Sequence, residues 1–211
     1  HSRPGVIYRY GKRINDPLMS GFGAYLAKEH HFGKEPITGK IELALENLFS
    51  MNEIKTVKPI APRLKEFNLE KTQIMGARDN TENSNGFYFA AKGGHNAESH
   101  NHNDVGSFIL YYDGKPALVD IGVGTYTAKT FSSKRYEIWT MQSGYHNLPA
   151  INGIAQKNGA EYKAGETNFS STSSKVSYSV DIKGAYPAEA QVNSWNRSYT
   201  LYRGKKFIIS D

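Results

Sequence analysis

The chain has 211 residues, enough for one large or two small domains, and it contains no cysteine. A disulfide framework is therefore excluded, and no apolar run is long enough to span a bilayer. The net charge of +6 comes from scattered basic residues without the elements of the known nucleic-acid-binding modules, so it favours an acidic glycan over nucleic acid as a partner.

The first 55 residues carry helical patterns. Asp16-Pro17 predicts the start of a helix, because aspartate accepts hydrogen bonds from the first amides and proline fits the first turn. Apolar residues then recur at helical spacing over 18–26 and again over 41–49, with a loop predicted at 32–39 between them. We therefore expect an αα-hairpin whose apolar stripes need a further partner.

The chain from residue 72 onward has the pattern of strands. Strands are predicted at 73–77 and 86–91, and alternating apolar residues predict another at 176–182. Residues 199–210 are expected to form a hairpin around Gly204, whereas the polar stretch 168–174 is predicted to be a loop.

The stretch 93–120 concentrates histidine, asparagine and glycine instead of core residues. A His-x-His pair at His100 and His102 places both imidazoles on one face if the segment is extended. Neutral imidazole is a common zinc ligand, and Asp120 with His146 are the candidates to complete a three-ligand site with one open position.

The register of a predicted hairpin sets a condition on this site. The Asp-Gly pair at 113–114 predicts a type I′ turn, and the resulting pairing places Ser107 opposite Asp120. An unbroken strand would direct His102 to the other face. The site therefore forms only if residues 103–106 make a turn or bulge, which the glycine at its end permits.

Two further segments bear on the site. Residues 130–140 are predicted to be a loop or short helical turn, in which Arg135 either pairs with a substrate carboxylate or braces the loop. Tyr136 is either a proton donor or a packed ring with a bonded hydroxyl. His146 is expected at the mouth of a strand at 148–151, a rigid position that suits a ligand.

Several motifs occur together in an order that resembles the heparinase II/III-like polysaccharide lyases. The resemblance covers about residues 72–160, and its motifs lie at 99–108, 120–126, 135–136, 143–147 and 152–156. Members of that family join an N-terminal helical toroid to a C-terminal β-sandwich. They cleave uronic-acid polysaccharides, such as glycosaminoglycans, by β-elimination.

The resemblance implies an α+β fragment, mainly an antiparallel β-sandwich preceded by a short α-helical segment from an (α/α) toroid. Residues 1–55 are then the last helices of an incomplete toroid domain, 56–71 a linker and 72–211 the sandwich. Asp211 directly follows an apolar strand pattern, so we expect the sandwich to be truncated at its C-terminus.

The resemblance also implies roles for single residues. His100 matches a catalytic histidine, and one structural zinc is implied with the ligands His102, Asp120 and His146. Substrate binding is expected of three residues around them, Asn101, Arg135 and Tyr136. The family's tyrosine acid/base comes from the toroid and has no match here. A periplasmic or secreted bacterial protein is implied.

Other classes of protein share part of this pattern. Gly94 followed by the His-x-His pair imitates the opening of a cupin motif, but the glutamate expected three or four residues later is absent. A zinc-dependent hydrolase would use the same ligands with Glu98 or Asp104 as base, and it would release saturated products. A non-catalytic glycan-binding or structural sandwich also remains open.

Overall fold

The computed structural model describes residues 3–30 and 41–211, and the chain divides into two compact units, His1–Arg63 and Leu64–Asp211. Each unit has its own buried cluster of apolar residues. The loop predicted at 32–39 lies outside the described residues. Within the described part of the chain, no helix combines the length and apolarity needed to cross a bilayer.

In the described residues of the first unit the chain forms α1 (Pro4–Arg13), α2 (Pro17–Glu29) and α3 (Ile41–Ile54). The predicted start of α2 is confirmed, because the Asp16 carboxylate accepts a hydrogen bond of 2.9 Å from the Met19 amide. Helix α1 was not predicted from the sequence. It is short and contains two glycines, which lower intrinsic helix propensity.

The glycines of this unit allow α1 and α2 to approach closely. A Cβ atom on Gly23 would lie 2.7 Å from the Tyr8 amide nitrogen, so a larger residue there would force the helices apart. Tyr8 is only 5% exposed, and its hydroxyl donates to Glu53 of α3 at 3.2 Å. Tertiary packing therefore stabilises α1 where local propensity does not.

The second unit is built from eleven strands. Their bounds are β1 Glu66–Leu69, β2 Ile74–Arg78, β3 Phe87–Lys92, β4 His95–Asn96, β5 Phe108–Tyr112, β6 Lys115–Leu118, β7 Gly159–Lys163, β8 Thr167–Ser171, β9 Lys175–Asp181, β10 Asn196–Tyr202 and β11 Lys206–Ser210. One antiparallel sheet has the order β1-β2-β3-β5-β6, a second has β11-β10-β9-β8, and β4 pairs with β7. The expected antiparallel sandwich is confirmed.

The core of this unit is supplied by alternate residues of facing strands. Strands β9 and β10 both alternate between buried and partly buried positions, as the sequence pattern predicts. Tyr199 of β10 is fully buried, and its ring lies 6.1 Å from that of Phe89 on the other sheet. Burial of such aromatic rings is the main favourable contribution to the folding of this unit.

Three segments differ from the prediction. Strand β1 lies within the predicted linker 56–71, and β8 replaces most of the loop predicted at 168–174. Both are edge strands, β1 only four residues long and β8 mostly polar, so their pairing leaves little trace in the hydrophobic pattern. The strand predicted at 148–151 is wrong, since only Ile151 forms a bridge, to Ile154.

Candidate functional site

The turn that the candidate site requires before β5 is present. Gly106 has φ of +87°, and the Ser107 amide donates to the Asp104 carbonyl at 3.0 Å. The Ser107 hydroxyl then donates to the Asp120 carboxylate at 3.0 Å. The turn at 103–106 is therefore confirmed, and the two residues are in contact, but the predicted register is wrong because a shift between Leu110 and Tyr111 pairs Leu110 with Leu118.

Asp120 is the acceptor at the centre of the site. Nδ1 of His146 lies 2.6 Å from its Oδ2, and the Gly122 amide donates to its Oδ1 at 2.8 Å. Burial raises the pKa of Asp120, but the hydrogen bonds from His146 and Gly122 outweigh it and lower the pKa to about 2. Asp120 is therefore a carboxylate at neutral pH.

His146 is buried, and of its two ring nitrogens Nδ1 faces Asp120. Its side chain is 0% exposed, and its Nε2 atom has no hydrogen-bond partner among the described residues. It follows a 3-10 turn at Ser143–Tyr145 and does not lie at a strand end, which corrects the expectation. Because Nδ1 contacts the Asp120 carboxylate, that carboxylate lies on the side of the ring away from Nε2.

Two further side chains lie close to this pair. The ring centroid of His102 is 5.3 Å from that of His146, and burial lowers the pKa of His102, which favours the neutral, metal-binding form. The possible ligand atoms of Asp104, Asp120 and His146 all lie within 4.8 Å of one another. Asp104, which was named before only as a possible base, thus joins Asp120 and His146 in this group, whereas His102 lies beside His146 by its ring and its nitrogens are not part of the group.

The distances distinguish between these possible ligands. Two ligand atoms on one tetrahedral zinc are about 3.4 Å apart when each bond is about 2.1 Å. The 2.6 Å between His146 Nδ1 and Asp120 Oδ2 is shorter, so these atoms form a hydrogen bond here. Asp104 is already paired with Lys92, whose Nζ lies 2.7 Å from Oδ1. The residues whose chemistry suits zinc are therefore His146, His102 and Asp120, and the His146 nitrogen that faces the Asp120 carboxylate is Nδ1.

His100 has surroundings different from those of His102. Its φ is +59°, so the segment is not extended there and the argument for a shared face does not apply. The ring is exposed, stacks parallel to Tyr126 with centroids 6.0 Å apart, and meets the edge of Phe131 at 6.4 Å. His100 is therefore accessible to a ligand and stands apart from the metal-binding group.

Asn101 is held by the segment that follows Thr130. Arg135 donates to the Asn101 carbonyl from Nε and Nη2 at 3.3 and 2.8 Å, and from Nη1 to the Thr130 carbonyl at 2.9 Å. The Tyr136 hydroxyl donates to Asn101 Oδ1 at 3.1 Å. These contacts use three of the five guanidinium N–H groups and favour the bracing role for Arg135.

A buried polar network that holds the same turn was missed as a functional element. Gln156 accepts from Asn96 Nδ2 at 3.0 Å and donates to the Val105 carbonyl at 2.8 Å. Asn96, which is 0% exposed, accepts from the Asp104 amide at 3.2 Å. Gln156 belongs to the motifs of the family resemblance, and that was the available signal for this network.

A known protein family matches the chain from residue 81 to its last residue. The model of the family described as heparinase II/III-like, C-terminal, matches residues 81–211. Among curated proteins, none matches the chain.

Solved structures share the fold at low sequence identity. A heparan sulfate lyase mutant from Pedobacter heparinus aligns with a TM-score of 0.59 and 14% identity, over 99% of this chain and 27% of that one. Another heparan sulfate lyase structure from the same organism gives 0.57 and 15%, over 99% and 38% of the two chains. A heparinase III gene product gives 0.56 and 19%, over 95% and 32%. The chain therefore spans between 27% and 38% of the length of these proteins.

Proposed function

The chain belongs to the heparinase II/III-like family, and from this premise we propose that it is part of a polysaccharide lyase. The proposed substrates are acidic polysaccharides that contain uronic acid, such as glycosaminoglycans, and the proposed reaction is β-elimination. The observation that carries the proposal is the cluster of His102, Asp120 and His146, which lies two residues along the chain from the exposed ring of His100.

Elimination next to a uronic acid has three chemical requirements. The carboxylate must be neutralised so that the C5 proton becomes acidic, a base must take that proton, and an acid must protonate the departing glycosidic oxygen. We assign His100 as the base or as the group that contacts the carboxylate. A general acid or base contributes about 10²–10⁴ in rate. In this proposal the tyrosine acid/base belongs to a helical toroid whose last helices are residues 1–55.

Arg135, Asn101 and Tyr136 are proposed to form the substrate side of the site. Arg135 has guanidinium N–H groups beyond those bound to carbonyls, and they suit a uronate carboxylate. The same residue holds the backbone next to His100 through the Asn101 carbonyl. Bracing and substrate binding are compatible in this arrangement.

One zinc ion is proposed at His102, Asp120 and His146. Imidazole and carboxylate ligands suit zinc, and the proposal is supported by the 2.6 Å contact of His146 Nδ1 with Asp120 Oδ2 and by the His102 ring 5.3 Å from that of His146. A bound zinc would supply structural cross-linking here, because elimination requires no water nucleophile. His102 and Asp120 lie in two different loops, so a zinc ion bound by both would fix the backbone that carries His100.

The first experiment measures metal content by plasma mass spectrometry. We expect about one zinc per chain in the wild type and a loss in His102→Ala and Asp120→Ala, with Asp104→Asn as the matched carboxylate control that retains zinc. A folded wild type that stays empty after reloading with zinc would contradict the ligand assignment.

The second experiment measures lyase activity in the full-length parent protein. Unsaturated uronate products absorb ultraviolet light, and we expect His100→Ala to lower their formation by at least about 10²-fold. His95→Ala is the control, since the ring nitrogen of His95 accepts the Ala97 amide outside the cluster. Wild-type activity in the His100 variant would contradict its role.

Saturated products would favour the competing zinc-dependent hydrolase. The observation in its favour is the position of Asp104 within the metal-binding group, although the ion pair with Lys92 opposes a role as base. Glycan binding without any product would favour the non-catalytic sandwich.

A periplasmic or secreted location in a bacterium is also proposed. It is supported by the acidic polysaccharide class of substrate, which is met outside the cytoplasm. Fractionation of the source cells followed by immunodetection tests it, and a purely cytoplasmic signal would contradict it.

A further inference from the structure

Arg197 of β10 is a buried cation whose contacts extend to the candidate site. Its side chain is 7% exposed, and Nε and Nη2 donate to the two carboxylate oxygens of Asp211 at 2.7 Å each. Its Nη1 donates to the Asn147 carbonyl at 2.6 Å and to the Gly106 carbonyl at 3.3 Å. One guanidinium therefore holds two carbonyls from separate parts of the chain.

Those two carbonyls belong to the loops that carry the central pair of the site. Gly106 directly precedes Ser107, whose hydroxyl donates to Asp120. Asn147 directly follows His146, and its side-chain amide donates to the Val119 carbonyl at 3.2 Å, next to Asp120. Fixing the two carbonyls therefore fixes the backbone on both sides of the Asp120–His146 hydrogen bond.

We propose that Arg197 is a positioning residue which, through Gly106 and Asn147, holds the Asp120 carboxylate and the His146 ring next to each other, the arrangement that a shared metal ion requires. The part of this inference that concerns zinc rests on the proposed function. Asp211 neutralises the buried guanidinium and orients it by bidentate hydrogen bonding, so it supports the positioning role of Arg197. A lysine at 197 would keep the charge but could not bind Asp211 through two nitrogens and reach both carbonyls at the same time.

A second arginine provides a matched comparison. Arg203, in the turn after β10, is also 7% exposed, pairs with the Glu66 carboxylate and donates to the Arg78 carbonyl. Both partners lie outside the residues of the candidate site. Loss of this arginine removes the same kinds of interaction without touching the Asp120–His146 pair.

The test compares Arg197→Lys with Arg203→Lys and the milder Asp211→Asn in the purified chain. Zinc affinity is measured by competition with a chromophoric chelator, and thermal unfolding of the zinc-free protein is measured alongside. We expect Arg197→Lys to weaken zinc binding about 10–100-fold, the range seen when groups that orient metal ligands are changed. Asp211→Asn is expected to have a smaller effect in the same direction. Arg203→Lys should lower the melting temperature but change zinc affinity less than about twofold.

A readout without metal separates this inference from the zinc assignment. The His146 Nδ1–H proton should give a downfield NMR signal that persists in wild type and in Arg203→Lys, and that broadens or disappears in Arg197→Lys. If the wild type does not bind zinc, the zinc site is refuted. The NMR signal of His146 then tests by itself whether Arg197 positions the pair. The inference would be overturned if Arg197→Lys were destabilised but kept both the NMR signal and the zinc affinity. It would also be overturned if Arg203→Lys lost the signal and the zinc affinity to the same extent as Arg197→Lys.

Discussion

Two regions of the sandwich unit, the strands β9 and β10 and the segment 119–148, are stabilised in different ways. Strands β9 and β10 pair over seven residues, and their alternate side chains are buried between the sheets. The segment 119–148 contains only short 3-10 turns among its regular elements, and side chains such as Asn147 and Arg197 supplement the local hydrogen bonds of its backbone. The core depends on apolar area, whereas the site depends on individual polar contacts.

This difference predicts different responses to mutation. Removing a core side chain loses transfer energy and leaves a cavity that affects the whole unit. Removing a polar side chain at the site leaves one or two buried backbone groups without partners, which costs less and acts locally. The predictions below test this contrast.

The largest expected loss of stability is at Phe89. This side chain is 0% exposed, and its ring lies 4.7 Å from Phe207 on the second sheet. We expect Phe89→Ala to lower the free energy of unfolding by about 3–5 kcal/mol, because burial is lost and a cavity forms. Urea unfolding of the variant and the wild type measures it, and a loss below about 1 kcal/mol would contradict the assignment of Phe89 to the core.

A smaller loss is expected at Gln156 in the polar network. Gln156→Ala removes the donor to the Val105 carbonyl and the acceptor of the Asn96 side chain, and we expect a loss of about 2–3 kcal/mol. Amide hydrogen exchange should increase mainly at residues 104–105. The matched control is Asn168→Ala on an exposed position of β8, for which we expect little change. Equal protection of residues 104–105 in both variants would refute the local role of the network.

Asp120 makes the stability of the zinc-free site depend on pH. Its pKa of about 2 lies below its ordinary value of 3.8, so the carboxylate favours the folded state above about pH 4. That contribution, about 2 kcal/mol, is lost as pH falls through the range 4 to 2. Urea unfolding at several pH values with a chelator present measures it. Asp120→Asn should remove this part of the pH dependence, and an unchanged slope in that variant would contradict the prediction.

The smallest expected effect is at an exposed aromatic residue of the site segment. Trp139 is 51% exposed, and its ring meets the edge of Tyr145 with centroids 5.2 Å apart. We expect Trp139→Ala to change the free energy of unfolding by less than about 0.5 kcal/mol, because most of the ring is already in water. A loss comparable to that of Phe89→Ala would abolish the contrast between the two regions.

Local patterns in the sequence account for much of the fold. The alternation in β9, the helix start at Asp16 and the turn at 113–114 were predicted, and both residues of this turn have positive φ. These features depend on neighbouring residues alone, through side-chain period, capping and the conformations that aspartate and glycine tolerate. The contact of Ser107 with Asp120 depends in addition on a register shift in the hairpin that the sequence did not indicate.

Other features were decided only by tertiary structure. Helix α1 depends on close packing through glycine, and the edge strands β1 and β8 depend on partners that their polar sequences do not indicate. The neighbours of His100 and the contacts of Arg135 could not be derived, because a single left-handed residue redirects everything that follows it. Arg197 is the strongest case, since its two carbonyl partners lie 50 and 91 residues away in sequence. Contacts between residues so far apart in sequence leave no periodic pattern, so only the folded chain reveals them.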